Sequence, residues 1–466
     1  MNPIWIALIG VAVVVGGILA LRLHAFLSLI AGAAVVALLT PARVVRLYSE
    51  HSGLSKAAAL AAANETIGQR IADGFGITAK DIGILIAMAA ILGKTLMESG
   101  AAEKLVLSLR RFVGEGRVAV AFLISGFVLA ALVLSDTTFY LLIPLARVAR
   151  ARSGKNYTLY ILSIVAGAVM THSLVPPAAG PAFVADALHV KLIVMIAGGV
   201  IVGAFASGSG YLYALWANRR WDIPLRDAVG VSPEELARVS ARDESSLPPL
   251  WLALTPIVLP VVLIAMGDAS SNRVLATLGE KNVALMIAAA VGLVMVWRKK
   301  DRMTSSQFSK SVGHALGSAG VMVLIISAGG AFGYVVRQTD IATELRDAMP
   351  SAKLALLPLA FLVTAAVRTA QGSAIVSMVT AIGVVAPIAA AGALGFHPVY
   401  LALAIGCGSK PIPWMNDAGF WIIGQMSGMT EAETLKTVSV MMCIMGVVGL
   451  LATMAGAWLF PMAGNI

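Results

Sequence analysis

Two short segments of this chain set polar and titratable side chains among prolines and glycines, with strongly apolar sequence on both sides. The first is THSLVPPAAGPAF (171–183) and the second is GSKPIPWMNDAGF (408–420). Pro176 and Pro177 each lack an N–H and clash with the preceding turn, so a helix arriving there stops near Val175. His172 then falls in the last turn, where a helix C-terminus favours the protonated imidazolium. Histidine changes charge near neutral pH, so the ring could carry a proton, or stay neutral and bond a carbonyl freed by the break. Asn416 and Asp417 follow Pro411 and Pro413 and bring two adjacent polar groups to the second break. Lys410 could meet an anion as a cation, but the expectation is that its long stem snorkels to the cytoplasmic surface.

Two other polar clusters interrupt long apolar stretches. Ser135, Asp136, Thr137 and Thr138 divide the region 118–149, and Arg368, Thr369, Gln371, Gly372 and Ser373 divide 354–391. A turn at such a point ends one half-helix and starts the next, leaving free N–H groups and a positive dipole end at the break. That end can hold a carboxylate, while hydroxyls and the Gln371 amide can hold the hydroxyls of a ligand. The same serines could instead cap the turn itself. Asp136 and Arg368 are harder to explain as turn residues, because an ion in mid-membrane costs at least a few kcal/mol.

The elements that position these residues are membrane helices. The 466 residues are 59% hydrophobic and 12% charged, against about 25% charged in an ordinary soluble domain. Apolar runs near the roughly 20 residues that span a bilayer occur at 4–21, 23–40, 82–98, 157–175, 190–217, 250–267, 283–297, 314–336, 397–414 and 437–460. The net charge of +10 would suggest nucleic acid in a soluble protein. Here the basic residues fill short loops and act as topology signals. Arg110, Arg111 and Arg117 precede the first divided region, and Arg147, Arg150, Arg152 and Lys155 follow it. Both of its ends therefore belong in the cytoplasm, as a re-entrant hairpin requires. Loops 218–249 and 298–310 carry five basic residues each and are placed on the same side; loop 41–81 is placed outside. The run from Ile4 to Ala20 has no basic start and is expected to be a retained helix.

The pattern repeats. The polar waist at 134–138 recurs at 368–373, and the break at 171–183 recurs at 408–420, about 235–240 residues later each time. Each half reads as five full crossings and one hairpin, so the second half is inverted relative to the first. The expected fold is an all-α polytopic membrane protein of two inverted repeats, each with full transmembrane helices, one re-entrant helical hairpin and one broken helix. The expected division is 1–217 for the first repeat, 218–249 for a cytoplasmic linker and 250–466 for the second. Inverted repeats whose broken helices meet at the midplane are the architecture of many secondary transporters.

Other classes are disfavoured. No G-x-x-x-x-G-K-[ST] stretch for nucleotide phosphates and no H-E-x-x-H zinc motif occurs, and Gly208-Ser209-Gly210 lacks the setting of a hydrolase nucleophile. Cys407 and Cys443 lie in apolar segments with no Cys-x-x-Cys pair. No enzyme activity, bound cofactor or metal is expected, and nucleic acid is not an expected partner.

At these same segments the chain resembles the gluconate permease family of bacterial proton symporters, within the wider ion transporter superfamily. The family pattern T-H-x-L-P-P-x-x-G-P is similar to THSLVPPAAGP (171–181), R-I-A-L-G-S-A-T-V to RTAQGSAIV (368–376), and N-D-P-G-F-W to NDAGFW (416–421). A family glutamate in the first hairpin tip falls at Asp136. The chain departs from the family after the double proline, where a second histidine is common and this chain has Ala178 or Ala179, and at Trp414, where another is. The resemblance implies uptake of gluconate or a related small sugar-acid or hydroxy-acid anion with protons, across the bacterial inner (cytoplasmic) membrane.

The expected roles follow. Arg368 and the N–H groups around Gly372 hold the substrate carboxylate, and Thr137, Thr138, Gln371, Ser373 and Asn416 hold its hydroxyls. Asp136, His172 or Asp417 carries the coupling proton. Sodium coupling is the competing expectation, since broken helices also expose carbonyls suited to Na⁺. An anion channel and an intramembrane enzyme are the remaining alternatives. The expected partners are the organic anion and the lipid bilayer, with homo-oligomerisation left open.

Overall fold

The structure, a computed structural model, describes residues 2–21, 23–114, 117–131, 135–226, 247–270, 272–298, 305–341, 353–391, 394–415 and 417–462. All regular structure among them is helical. The first half runs α1 (Pro3–Leu19), α2 (Ala25–Leu39), α3 (Ala42–His51), α4 (Lys56–Ala63), α5 (Ile67–Glu98), α6 (Ala101–Val113), α7 (Val118–Ala130), α8 (Ser135–Ser153), α9 (Tyr157–Leu174), α10 (Ala179–Ala187) and α11 (Leu192–Arg220). The second runs α12 (Leu250–Ala269), α13 (Arg273–Leu278), α14 (Lys281–Trp297), α15 (Ser305–Arg337), α16 (Leu356–Gln371), α17 (Ala374–Ala391), α18 (Pro398–Gly408) and α19 (Ala418–Ser427). It closes with α20 (Glu431–Leu459), which passes through a π-turn at Leu435–Ser439.

Six helical stretches are long and apolar enough to cross a bilayer, and a seventh if α2 and α3 count as one span bent by 97°. The apolar runs of the sequence predict ten crossings. The difference lies in short elements: α1 and α14 have 17 residues each and α18 only 11, below the roughly 20 needed alone. Trp5, Trp251 and Trp297 are exposed, as aromatic anchors at a membrane–water interface would be.

Equivalent helices run in opposite directions. At one end of the α5–α15 pair Arg70 Nε donates to Gln338 Oε1 at 2.7 Å, and at the other Ser311 donates to Glu98. In chain order the pair α7–α8 is followed by the broken span α9–α10, as α16–α17 is by α18–α19.

The two broken spans form the centre. Every residue of α9 is buried, as is every residue of α18 after Pro398. Each packs backbone to backbone against the first arm of its own hairpin, which only glycine permits. A Cβ on Gly167 of α9 would stand 2.1 Å from the Leu123 carbonyl oxygen of α7, and one on Gly408 of α18 would stand 2.5 Å from that of Phe361 in α16. Such close approach substitutes for hydrophobic driving force where the surrounding lipid is as apolar as the helices.

Candidate functional site

Helix α9 ends at Leu174, with Val175 as its extended C-cap, so the stop falls where Pro176 and Pro177 require it. In the second break α18 ends at Gly408 and α19 begins at Ala418. The backbone groups freed there need partners, since lipid offers none. They find side chains: Ile412 N–H donates to Cys443 Sγ at 3.2 Å, and the Ser439 hydroxyl donates to Pro413 O. Trp421 Nε1 donates to Met415 O at 2.7 Å, and Trp414 Nε1 reaches across to Thr369 O on the hairpin at 2.7 Å. Between the two breaks, Ser173 and Ser409 hydroxyls are hydrogen-bonded at 3.0 Å. These serines precede the two proline pairs and lie 236 residues apart, so the halves touch at equivalent points.

The second hairpin tip turns through Gly372, whose φ of +82° is a left-handed conformation that favours glycine. Its N–H caps α16 by donating to Arg368 O at 2.8 Å, and Ser373 Oγ accepts from Val376 N–H at 3.4 Å at the start of α17. Arg368 is almost wholly buried and held at both terminal nitrogens. One donates to Gly372 O and the other forms an ion pair with Asp417, while Nε has no partner. Asp417 caps α19 through its other oxygen, which accepts from Gly419 N–H at 2.8 Å.

These groups border a cavity of about 260 Å³ whose wall includes His172, Arg368, Gly372, Ser373, Lys410 and Asp417. The first residues of α17 and of α19 also line it, so two helix N-termini converge on one space. A second cavity, of about 300 Å³, lies between α5, α15 and the first break, bordered by Lys94, Thr137 and His314. His172 and Met322 belong to the walls of both cavities. The His172 ring meets the backbone of Ala130 at the end of α7, and its Nδ1 is buried without a partner.

Five of the expected site residues therefore surround one cavity: His172, Arg368, Gly372, Ser373 and Asp417. Thr137 lines the neighbouring cavity, Thr138 is buried beside it in sequence, and Gln371 keeps a buried Oε1 without a partner. Asn416 and the side chain of Asp136 lie outside the described residues.

Lys410 corrects an expectation. Its side chain does not snorkel to the surface: the residue is 3% exposed and forms part of the central cavity wall. The reason is the depth of the second break. Lys410 follows the end of α18 directly, with Ser409 hydrogen-bonded to Ser173 between the two breaks, so the side chain is held in the interior and lines the cavity.

Among the described residues no cluster of three or more His, Cys, Asp or Glu side chains is arranged to hold a metal ion.

The family model described as GntP family permease matches residues 2–459. The gluconate permease of Zymomonas mobilis is 30% identical over 394 residues, covering 82% of this chain and 86% of that protein. The Gnt-II system L-idonate transporter of Escherichia coli is 29% identical over 395 residues, covering 83% and 88%. Among solved structures, MtrF of Neisseria gonorrhoeae superposes with a TM-score of 0.60 at 16% identity, covering 85% of this chain and 84% of that one. At that identity the likeness concerns the fold alone.

Proposed function

The chain belongs to the GntP family of permeases, and on that premise we propose proton-coupled uptake of gluconate or a closely related sugar acid through the central cavity. It is a multi-pass secondary transporter of the gluconate and organic-acid type, embedded in the lipid bilayer. The relatives named for gluconate and L-idonate, both six-carbon sugar acids, support the substrate class. The bacterial inner membrane is the proposed location.

One observation carries the proposal. The N-terminal turns of α17 and α19 and the Arg368–Asp417 pair all border one cavity of about 260 Å³. That is small for a ligand pocket, which typically measures about 300–1,000 Å³. Positive dipole ends favour an anion, and the size favours a small one. In this reading Arg368, through Nε, and the Gly372–Ser373 tip face the carboxylate end of the substrate. Thr137, Thr138, Gln371 and Asn416 serve its hydroxyls as the two hairpins close around it. His172, Asp136 and Asp417 are the proposed proton carriers, and His172 stands where the two cavities meet. The repeats are proposed to be 1–217 and 250–466, joined by the cytoplasmic linker 218–249, with the second cavity as the route to the cytoplasm.

Uptake into proteoliposomes of labelled gluconate, idonate and short hydroxy acids, under an imposed pH or Na⁺ gradient, tests the proposal. Saturable accumulation of a sugar acid that an uncoupler abolishes is the expected result. Failure of every acid to accumulate under either gradient would refute it, and accumulation only under a Na⁺ gradient would transfer the coupling to sodium.

A further inference from the structure

The central cavity contains three charged side chains among its described lining residues: Arg368, Lys410 and Asp417. Asp417 is fully engaged, with one oxygen on Arg368 and the other on Gly419 N–H. Both terminal nitrogens of Arg368 are engaged as well. Lys410, 3% exposed, makes no side-chain hydrogen bond or salt bridge among the described residues. Among the described lining residues two cations, Arg368 and Lys410, therefore share one carboxylate, Asp417, whose oxygens are both already engaged. A charge held there is costly, and buried ions persist when something neutralises them.

We propose that Lys410 Nζ is the group that takes the substrate carboxylate, and that the site is built for an anion with a single carboxylate. The inference rests on the sugar-acid reading and goes beyond it by naming the charge that neutralises the substrate. Arg368 cannot supply that charge while it neutralises Asp417; through Nε it contributes a hydrogen bond. The N-termini of α17 and α19 border the same space and add donors that suit a carboxylate. A second carboxylate would meet no free cation among the described lining residues, and Arg368 would have to abandon Asp417 to reach it. Lysine at this position acts as a compact point charge, which tolerates the approach of the substrate from more than one direction.

The test uses the full chain in proteoliposomes, with KM and maximal rate for labelled gluconate. Gluconamide (uncharged, same hydroxyls) and glucarate (two carboxylates) serve as competitors. Parent protein is compared with Lys410→Met, Lys410→Gln and Lys410→Arg. Removing one partner of a buried charge pair costs about 2–5 kcal/mol, so K410M should raise the gluconate KM by roughly 30-fold or more. Gluconamide inhibition should hardly change, so the preference for the acid over the amide collapses. K410R should keep most of that preference, and K410Q serves if K410M does not fold. In parent protein glucarate should compete poorly.

A parent protein that transports gluconate, with K410M or K410Q keeping its preference over gluconamide, overturns the Lys410 assignment and leaves the sugar-acid reading intact. Glucarate competing as well as gluconate overturns the single-carboxylate claim. A parent protein that transports no sugar acid overturns both readings together.

Discussion

Arg368, on the last turn of α16, forms a buried ion pair with Asp417, the N-cap of α19, across 49 residues of sequence. The pair ties the tip of the second hairpin to the broken helix and sets the geometry of the cavity between them. Removing one partner of such a pair costs about 3–5 kcal/mol, because the other is left as an uncompensated buried charge. Arg368→Ala is therefore expected to lower the melting temperature in detergent markedly and to abolish gluconate uptake. The double variant R368A/D417N, which leaves no orphaned charge, should melt above R368A alone. An R368A protein that melts and binds gluconate as the parent does would contradict this account.

How much of this was legible in the sequence depends on the kind of signal. Prolines dictate backbone wherever they occur, so both breaks could be placed from Pro176–Pro177 and from Pro411 and Pro413. Gly372 marked a turn for the same local reason. The Arg368–Asp417 pair was invisible, because nothing local states which of two distant polar tips meet. Lys410 misled because a snorkelling lysine and a buried one have the same neighbours in sequence; only the depth of α18 tells them apart. Thr137 shows the same limit at finer scale: it faces one cavity, while Phe139, two residues on, faces the other.

The contact between α7 and α9 depends on Gly167. Gly167→Ala would set a methyl group 2.1 Å from the Leu123 carbonyl oxygen. Forcing the helices apart is expected to cost about 1–3 kcal/mol and to displace the first break, reducing both thermal stability and uptake. Gly208→Ala on α11 is the control, since a Cβ there meets nothing within 4 Å, and it should match or slightly exceed the parent in melting temperature. Equal melting temperatures for G167A and G208A would show that the close approach is not needed.

His172 separates two functions that most substitutions would lose together. His172→Gln keeps a polar side chain of similar size but cannot exchange a proton near neutral pH. If the ring carries the coupling proton, H172Q should lose accumulation driven by a pH gradient while still exchanging internal for external gluconate. Loss of exchange and accumulation alike would assign the ring to the structure of the break; retention of both would remove it from coupling.

The central claim is that substrate and proton enter together, and the most direct test is to record both in one vesicle. Proteoliposomes containing the parent protein and a trapped pH-sensitive dye are given external gluconate, without sodium and with the membrane potential clamped. The account predicts internal acidification that begins with gluconate addition, saturates with its concentration and is absent from protein-free vesicles. Gluconate entry with no change in internal pH, or entry that requires sodium, would contradict it.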